Sequence, residues 1–353
     1  MSASSKPNTF TINSSTGSYN VCVATGLFDA PLPNAQIVAD AYFQSRIPNA
    51  IFLQAAEHEK SLDRAPALIE QLRAQGVNRS THLVAVGGGI IQDLTAFIAS
   101  IYMRGLQWTY FPTTVLAMVD SCIGGKSSIN VGPYKNLVGT FHPPQAIYID
   151  PSLAQTLPRD QFASGLIEAA KITFVRGPES FAQHLACEPS TSMPTPALEK
   201  LILNSLLAKK HFIEIDEFDK KERLLLNFGH TFGHAIEGAS HYAIPHGIAV
   251  GIGILCSLAF QRARGIHPTG VAPLESHLQQ MIRTLPNLRD RLQALELPGI
   301  LDRFASDKKH TATHCTLILV SLSGEVVLEQ IPRTPALESS VRHAIEATIE
   351  KLL

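Results

Sequence analysis

Three histidines, His230, His234 and His246, lie close together in the stretch NFGHTFGHAIEGASHYAIPHG. The first two are four residues apart, so on a helix their side chains share one face. Neutral imidazoles in this arrangement are common metal ligands. An isolated HxxxH pair is more commonly two hydrogen-bonded helix histidines, but a third histidine in the same glycine-rich run favours a metal site. The run contains no HExxH glutamate, which argues against a zinc protease.

Another pair of ionisable residues, Glu168 and Lys171, is spaced three residues apart in the apolar segment SGLIEAAKITFV. Burying such charges is costly unless they are paired or bind a ligand. The same spacing is equally typical of an ion pair on an exposed helix face. The sequence therefore leaves a buried ligand-binding pair and a surface pair as alternatives.

The segment GGKSSINVGPYKN, residues 124–136, is too polar and too rich in turn-forming residues to lie in a core. Lys126, Lys135 and Asn136 could bind an anion, because the glycines allow the loop to close around a small ligand. Asp120, just upstream, adds an acceptor. In a chain with a formal net charge of -1, these local cations favour a phosphorylated small molecule, with or without a carboxylate. Nucleic acid would need a broader basic surface with stacking aromatics.

A glycine-rich turn lies between a predicted strand and a predicted helix in VAVGGGIIQDL. Glycines there let the backbone approach a pyrophosphate, whose charge is favoured by the helix N-terminus. Because Gln92 stands where the third glycine of a GxGxxG motif would fall, a simple tight turn remains an alternative. The charge-rich stretches KKHFIEIDEFDKKERLLLNFGH and SDKKH are, taken alone, typical of solvated surfaces.

The elements that must position these residues differ between the two parts of the chain. The first part alternates β-branched runs, at 35–40, 49–54, 82–86, 107–111 and 146–150, with amphipathic helical patterns. This alternation predicts a parallel sheet covered on both faces. Later segments are long and helical, apart from a hairpin turning at Ser323-Gly324 and followed by a last helix. We therefore predict an α/β domain over 1–158 and a mostly α-helical domain over 159–353.

The composition restricts the classes of partner. Charged residues make up 17% of the chain, with no basic excess to attract nucleic acid or a membrane surface. The most apolar run, residues 247–260, is shorter than the ~20 residues of a membrane span, so we predict a buried helix there. Five cysteines without a CxxC pair indicate reduced thiols and a cytoplasmic protein.

Taken together, these motifs resemble the sugar phosphate cyclases, and most closely the 3-dehydroquinate synthases. The matching segments follow one another along nearly the whole chain: EHEK, GGGIIQD, YMRG, PTTVLAMVDSCIGGKSSIN, YKN, LPRDQFASGLIEAAK, DEFDKKERLLLNFGHTFGHAIE and PHG. The fourth is the most specific, since it is similar to the family pattern PTT…DSSVGGKTxxN. The resemblance implies a dehydroquinate synthase-like fold, with a Rossmann-like NAD-binding domain, a helical metal- and substrate-binding domain, and a homodimer.

Carried over position by position, the resemblance implies Zn²⁺ or Co²⁺ bound by Glu168, His230 and His246, with His234 facing the substrate phosphate. The residues implied around NAD are Asp40, Glu57, Lys60, Gly88, Gly89, Asp93, Thr113, Thr114 and Thr156. Those implied around the phosphate are Arg104, Lys126, Asn136, Asn227 and either Lys308 or Lys309. Asp120, Lys135 and Lys171 would contact the substrate hydroxyls and the metal region, and Lys209 and Arg223 the substrate carboxylate. The catalytic group in this assignment comprises Asp120, Lys126, Lys171 and His234.

The implied reaction converts 3-deoxy-D-arabino-heptulosonate 7-phosphate into 3-dehydroquinate and phosphate. A ring hydroxyl is oxidised, phosphate is eliminated, the hydride is returned, and the opened ring closes by an internal aldol step. The overall reaction therefore involves no net redox change. A Lewis acid, a recyclable hydride acceptor and cations that orient the phosphate are the requirements that the motifs meet.

Other classes remain open on the sequence alone. Gln92, Ala96, Ile248 and the segment SSIN depart from the usual family residues, which leaves open a sister cyclase acting on sedoheptulose 7-phosphate. Lys209 and Arg223 favour a carboxylated substrate, because a neutral sugar would leave two buried cations uncompensated. Iron-containing alcohol and glycerol dehydrogenases share the glycine turn and the PHG ending, but a simple alcohol needs no cation-rich segment. A metal-binding protein without turnover is the third class.

Overall fold

The computed structural model describes residues 7–29, 35–132 and 134–353. The chain divides into two compact units, Met1–Leu157 with Pro194–Glu217, and Pro158–Met193 with Phe218–Leu353. The first contains a mostly parallel sheet and the second is mostly helical, which confirms the predicted fold class. In the structure, residues 194–217 belong with the first unit, whereas the sequence placed all of 159–353 in one domain.

The regular elements are numbered in chain order. The strands are β1 (Asn8–Ile12), β2 (Tyr19–Val23), β3 (Ala35–Asp40), β4 (Ile51–Leu53), β5 (His82–Gly87), β6 (Trp108–Pro112), β7 (Ile129–Val131), β8 (Tyr134–Val138), β9 (Ala146–Ile149), β10 (His314–Val320) and β11 (Val326–Pro332). The α-helices are α1 (Ala65–Ala74), α2 (Gly89–Ile101), α3 (Arg159–Arg176), α4 (Pro178–Leu185), α5 (Thr195–Ile215), α6 (His230–Ala239), α7 (His246–Ala263), α8 (Ala272–Ile282), α9 (Leu288–Gln293), α10 (Leu297–Ala305) and α11 (Pro335–Leu352).

The sheet of the first unit has seven strands in the order β1-β2-β9-β6-β5-β3-β4. All neighbouring pairs are parallel except β1 and β2, which form an antiparallel pair at one edge. The central strand β6 is buried along its whole length, and so is β5 after its first residue. Continuous apolar runs of this kind fit strands that are covered on both faces. The five strands predicted from the sequence therefore all occur, as β3, β4, β5, β6 and β9.

Helix α5 joins the first unit because of what its buried face contacts. Ser205 Oγ donates a hydrogen bond to Val119 O at 2.9 Å, and both groups are buried. Val119 lies in a five-residue π-helix, Ala117–Ser121, that ends just before the glycine-rich segment. The domain boundary predicted from the sequence lies where long helices begin. Helix length alone does not determine which unit a helix packs on, so the pattern could not place α5.

The second unit contains the other helices from α3 onward and the β10–β11 hairpin. Helices α6 and α7 approach closely because a Cβ on Gly233 would lie 2.9 Å from Val250 Cα. Helix α7 has the length and hydropathy of a membrane span, yet 78% of that window is buried inside the protein. It is a core helix, as predicted for the apolar run 247–260.

Candidate active site

The donor groups predicted for a metal ion converge within the second unit. Glu168 lies on α3 and is fully buried, while His230 and His246 are the first residues of α6 and α7. Glu168 Oε1 lies 3.8 Å from His230 Nε2 and 3.5 Å from His246 Nε2. The ligand atoms of His230, His234 and His246 all lie within 4.8 Å of one another. Two helix starts and one helix interior thus bring a carboxylate and imidazoles together.

The environment of Glu168 fits a cation. Neither of its carboxylate oxygens has a hydrogen-bond partner among the residues that the structure describes. Lys171 Nζ lies 2.5 Å from Oε2, an ion-pair distance without hydrogen-bond geometry. Both side chains are buried, which decides between the two alternatives that the sequence left open. A buried carboxylate with Lys171 beside Oε2 and imidazoles beside Oε1 is a suitable donor set for a divalent metal ion.

The histidines of this cluster differ in their ionisation. Burial and the nearby charge of Lys171 hold the pKa of His230 well below its usual value. The His234 residue is exposed, but its ring lies against those of His230 and His246, where burial and the charges of His246 and Lys309 lower its pKa. Burial opposes protonation of His246, but a hydrogen bond and the negative charge of Glu237 raise its pKa overall. His230 and His234 are therefore neutral at pH 7, the form that binds metals.

The positive charge of Lys309 contributes to the lowered pKa of both His230 and His234, which indicates that this lysine lies close to the cluster. Its Nζ lies 2.7 Å from Asp307 Oδ2. Lys308 is exposed. Of the two lysines that the sequence offered for the phosphate, Lys309 is the one whose charge acts on the histidines.

Arg223 and Asn227 lie on a short 3-10 helix, Glu222–Asn227, of the second unit. Arg223 is only 4% exposed. Asn227 Nδ2 donates to Leu224 O at 3.0 Å, and this bond fixes the amide on its own turn. The role of Arg223 toward a substrate carboxylate stays a prediction.

In the first unit, the glycine turn connects β5 to α2 as predicted, with Gly88 as the N-cap of the helix. A Cβ on Gly88 would lie 3.0 Å from Thr114 Cγ2, so a larger residue there would crowd the turn. The neighbouring Thr113 is buried, and Gly89 is partly exposed. An open helix N-terminus with closely approaching backbone fits the phosphates of a dinucleotide.

A network of charged and amide groups lies beside this turn. Lys60 Nζ donates to Asp93 Oδ2 at 3.1 Å and to Asn136 Oδ1 at 2.9 Å. Glu57 Oε1 lies 3.4 Å from Lys135 Nζ and 3.8 Å from Lys60 Nζ. Burial raises the pKa of Asp93 to about 6, although the charge of Lys60 acts in the opposite direction. Residues predicted for the cofactor and for the substrate thus form one network.

Asp120 and Lys209 form another ion pair in the first unit. Lys209 Nζ lies 2.5 Å from Asp120 Oδ1 and donates a hydrogen bond to the backbone oxygen of the same residue. Helix α5 supplies the lysine and the π-helix supplies the aspartate. π-Helical turns recur at functional sites, where they turn a side chain out of the regular helix.

The remaining predicted residues of the first unit occupy loops and element ends. Asp40 is the last residue of β3, and its side chain accepts a hydrogen bond from Tyr42 N at 3.1 Å. Lys126 lies 5.9 Å above the Phe141 ring. Arg104 has a left-handed backbone conformation, with φ of 71°, and is exposed. Thr156 is exposed at the end of a 3-10 helix.

Three residues were not identified from the sequence. Gln92 is buried, and its amide accepts from Ser121 Oγ and donates to Ser121 O, each at 2.7 Å. Asn130 bonds to Glu57 Oε1 and to Asn136 N, each at 2.9 Å. Glu237 Oε2 lies 3.3 Å from His246 Nδ1. The spacing of Glu237, three residues after His234 on one helix, was the available signal for that residue.

A parallel α/β unit with a glycine turn, together with a carboxylate–imidazole cluster in a helical unit, agrees with a dehydroquinate synthase-like enzyme class. The 3-dehydroquinate synthase N-terminal family matches residues 50–164, and the corresponding C-terminal family matches residues 165–310. A 3-dehydroquinate synthase of Latilactobacillus sakei subsp. sakei is 36% identical over 320 residues, which cover 89% of this chain and 86% of that protein. The chain therefore belongs to the 3-dehydroquinate synthase family.

Solved structures share this fold. A 2-deoxy-scyllo-inosose synthase, complexed with carbaglucose-6-phosphate, NAD+ and Co2+, has a TM-score of 0.80 and 23% identity, and the match covers 96% of this chain and 99% of that one. A 2-epi-5-epi-valiolone synthase from Streptomyces hygroscopicus subsp. jinggangensis, with NAD+ and Zn2+ bound, has a TM-score of 0.77 and 24% identity over 95% of this chain and 96% of that one. At these identities the similarity concerns the fold.

Proposed function

We propose that this protein is an NAD- and metal-dependent cyclase that converts 3-deoxy-D-arabino-heptulosonate 7-phosphate into 3-dehydroquinate and phosphate. The observation that carries the proposal is the buried Glu168 carboxylate, with two oxygens lacking hydrogen-bond partners among the described residues, facing His230 and His246. Lys171 and Lys309 place positive charge in the same cluster. Oxidation of a simple alcohol requires a metal centre but not this additional positive charge.

Zn²⁺ or Co²⁺ bound by Glu168, His230 and His246 would supply a Lewis acid that acidifies a substrate hydroxyl. The protein's own groups perform the remaining work. Lys171 partly offsets the Glu168 charge, so that the carboxylate can be retained in a buried position. His234, neutral and on the exposed side, is free to donate a hydrogen bond to the substrate phosphate, with Lys309 as its cationic neighbour.

The first unit would hold NAD against the Gly88 turn. Asp93 and Lys60 form the polar boundary of that site together with Glu57. Asn136, which accepts from Lys60, connects this boundary to the predicted phosphate contacts. NAD bound there would supply a recyclable hydride acceptor.

We assign Lys209 and Arg223 to the substrate carboxylate on the family resemblance. Lys209 is 7% and Arg223 4% exposed, and Lys209 already has a counter-charge in Asp120, whose Oδ1 lies 2.5 Å from its Nζ. The preference for the acid substrate over the neutral sugar sedoheptulose 7-phosphate therefore rests on family membership. A cytoplasmic location, a homodimeric state and a place in the shikimate pathway of aromatic amino acid biosynthesis belong to the same proposal and rest on family membership.

The test is a substrate panel in which phosphate release and NADH absorbance are followed together. We expect phosphate release from the acid substrate, with NADH remaining flat. Arg223→Ala should reduce kcat/KM on that substrate by about 10- to 100-fold, because a hydrogen bond to a charged group is lost. Turnover of sedoheptulose 7-phosphate alone would show a sister cyclase. Net NADH formation with glycerol would show a dehydrogenase.

A further inference from the structure

His246 is held between two carboxylates from different helices. Its Nε2 lies 3.5 Å from Glu168 Oε1, and its Nδ1 lies 3.3 Å from Glu237 Oε2. Glu237 is on α6 and is 8% exposed, whereas His246 begins α7. Because each ring nitrogen faces its own carboxylate, the orientation of the imidazole is determined from both sides.

We infer that Glu237 is a positioning residue for the metal centre, which accepts the Nδ1 proton of His246 and thereby presents the Nε2 lone pair to the metal. The inference rests on the proposed metal site and adds a residue that is not among its ligands. A carboxylate partner fixes the tautomer of a metal-binding histidine and increases the basicity of the ligating nitrogen.

The two predicted histidine ligands are oriented by different means. His230 Nδ1 lies 3.3 Å from Phe228 O, a neutral carbonyl two residues before it in the chain. That acceptor moves with the start of α6 itself. His246 follows Pro245 at the start of α7, and its side chain is 36% exposed. The more exposed ring, which has more freedom to turn, is thus the one fixed by a charged acceptor on another helix.

The local charges indicate why the acceptor is a carboxylate. Lys171 lies 2.5 Å from Glu168 and partly offsets the negative charge of this predicted ligand. Lys309 adds further positive charge near the histidines, although Asp307 is its ion-pair partner at 2.7 Å. Without Glu237, a divalent ion would therefore enter a site with little net negative charge. Glu237 supplies that charge through His246 rather than by occupying a coordination position.

Packing between α6 and α7 does not require this contact. Gly233 already allows the backbones to approach, since a Cβ there would lie 2.9 Å from Val250 Cα. A purely structural role for Glu237 would be visible as a change in folding stability alone. A positioning role must appear in the metal's affinity and its spectrum.

The experiment compares Glu237→Gln and Glu237→Leu with the wild-type protein after metal removal by a chelator. Gln keeps the shape and a neutral acceptor, while Leu removes the acceptor. Co²⁺ is titrated in competition with a chelating dye, and its visible absorption is recorded. We expect weaker Co²⁺ binding by about 10- to 100-fold for Leu, a smaller loss for Gln, and a shifted absorption band.

Wild-type affinity and an unchanged spectrum in both variants would overturn the inference, whatever happens to the melting temperature of the metal-free protein. His246→Ala is a second variant, which distinguishes a wrong metal site from a wrong role for Glu237. If it still binds Co²⁺ as the wild type does, the proposed metal site itself is wrong. If it loses the ion while Glu237→Leu keeps it unchanged, only the role of Glu237 is wrong.

Discussion

In the first unit, the ionisable groups beside the glycine turn satisfy one another, whereas in the second unit the buried Glu168 oxygens lack hydrogen-bond partners among the described residues. The Lys60 side chain contacts both the Asp93 carboxylate and the Asn136 amide, so the protein's own contacts organise the predicted cofactor region. Glu168 has Lys171 as its charge partner at Oε2, while Oε1 faces the imidazoles of His230 and His246. A cation that binds only the folded state would stabilise this arrangement. We therefore expect the first site to be preorganised and the second to be completed by its ion.

The largest effect on activity should come from removing a predicted metal ligand in the second unit. Glu168→Gln removes the only carboxylate of the predicted ligand set, and loss of the Lewis acid removes several kcal/mol of transition-state stabilisation. We expect phosphate release to fall by more than about 10³-fold, since each 1.4 kcal/mol corresponds to a factor of ten. Steady-state phosphate release with added Zn²⁺ is the measurement. Glu179→Gln, an exposed glutamate on α4, is the control and should retain full activity.

A smaller effect is expected in the first region, where Lys60→Met should weaken NAD binding by about tenfold. The Lys60 charge lowers the pKa of Asp93, which burial raises to about 6. Without Lys60 that pKa rises further, and less of Asp93 is ionised at pH 7. NAD affinity falls as Asp93 becomes protonated at low pH. In NAD titrations from pH 5.5 to 8.5, this fall should therefore occur at higher pH for Lys60→Met than for the wild type. Identical profiles for Lys60→Met and the wild type would show that the network is not coupled, and exposed Lys200→Met serves as the control.

The contrast between the two regions also marks what the sequence could predict. The strands β3, β5 and β6 have apolar runs that determine their burial, and they were predicted within a residue or two. The β7–β8 pair has no such pattern, because most of its residues lie in the polar segment 124–136 and are joined by contacts such as Asn136 N with Asn130 Oδ1. The position of α5 was likewise set by tertiary contacts of Ser205, which no local pattern specifies.

At the candidate site, the sequence allowed the residue types to be identified, but it did not predict the orientations of their side chains. The histidine cluster and Glu168 were identifiable because their spacing and apolar context are unusual. Glu237 and Gln92 were missed because a single glutamate or glutamine in a helix has many ordinary explanations. Their roles depend on a partner on another element, His246 for the first and Ser121 for the second.

A more modest effect tests the link between the nucleotide helix and the π-helix. Gln92→Ala removes two part-buried hydrogen bonds to Ser121, so we expect the free energy of unfolding to fall by about 1–3 kcal/mol. Gln92→Gly should cost about 1 kcal/mol more, because glycine disfavours a helix interior. Urea unfolding of the three proteins measures both differences. Equal stability of Gln92→Ala and the wild type would show that the amide contributes nothing there.

The smallest effect at neutral pH concerns His184 and His277, whose Nε2 atoms lie 3.4 Å apart inside the second unit. Burial lowers the pKa of His184 to about 3 and that of His277 to about 4. Since both values lie below the unfolded value of 6.5, the unfolded chain binds more protons, and stability is lost as pH falls from 6.5 toward 4. Removing one histidine should reduce the slope of the free energy of unfolding against pH by about 1.4 kcal/mol per pH unit.

Urea unfolding of His277→Gln at several pH values, with a chelator present throughout, provides that slope. The exposed His343→Gln should keep the wild-type slope. A slope in His277→Gln equal to that of the wild type would show that the pair is not protonated differently in the two states.

The dependence of the second unit on its ion is tested most directly by the metal content of the purified protein and of three single variants. We predict a stoichiometric divalent ion in the wild type and in His234→Ala, because His234 is assigned to the phosphate. His230→Ala and His246→Ala should contain little or none, since each loses a predicted ligand that lies within 4 Å of the Glu168 carboxylate. Full stoichiometric metal in both of these variants would contradict the assignment of Glu168, His230 and His246.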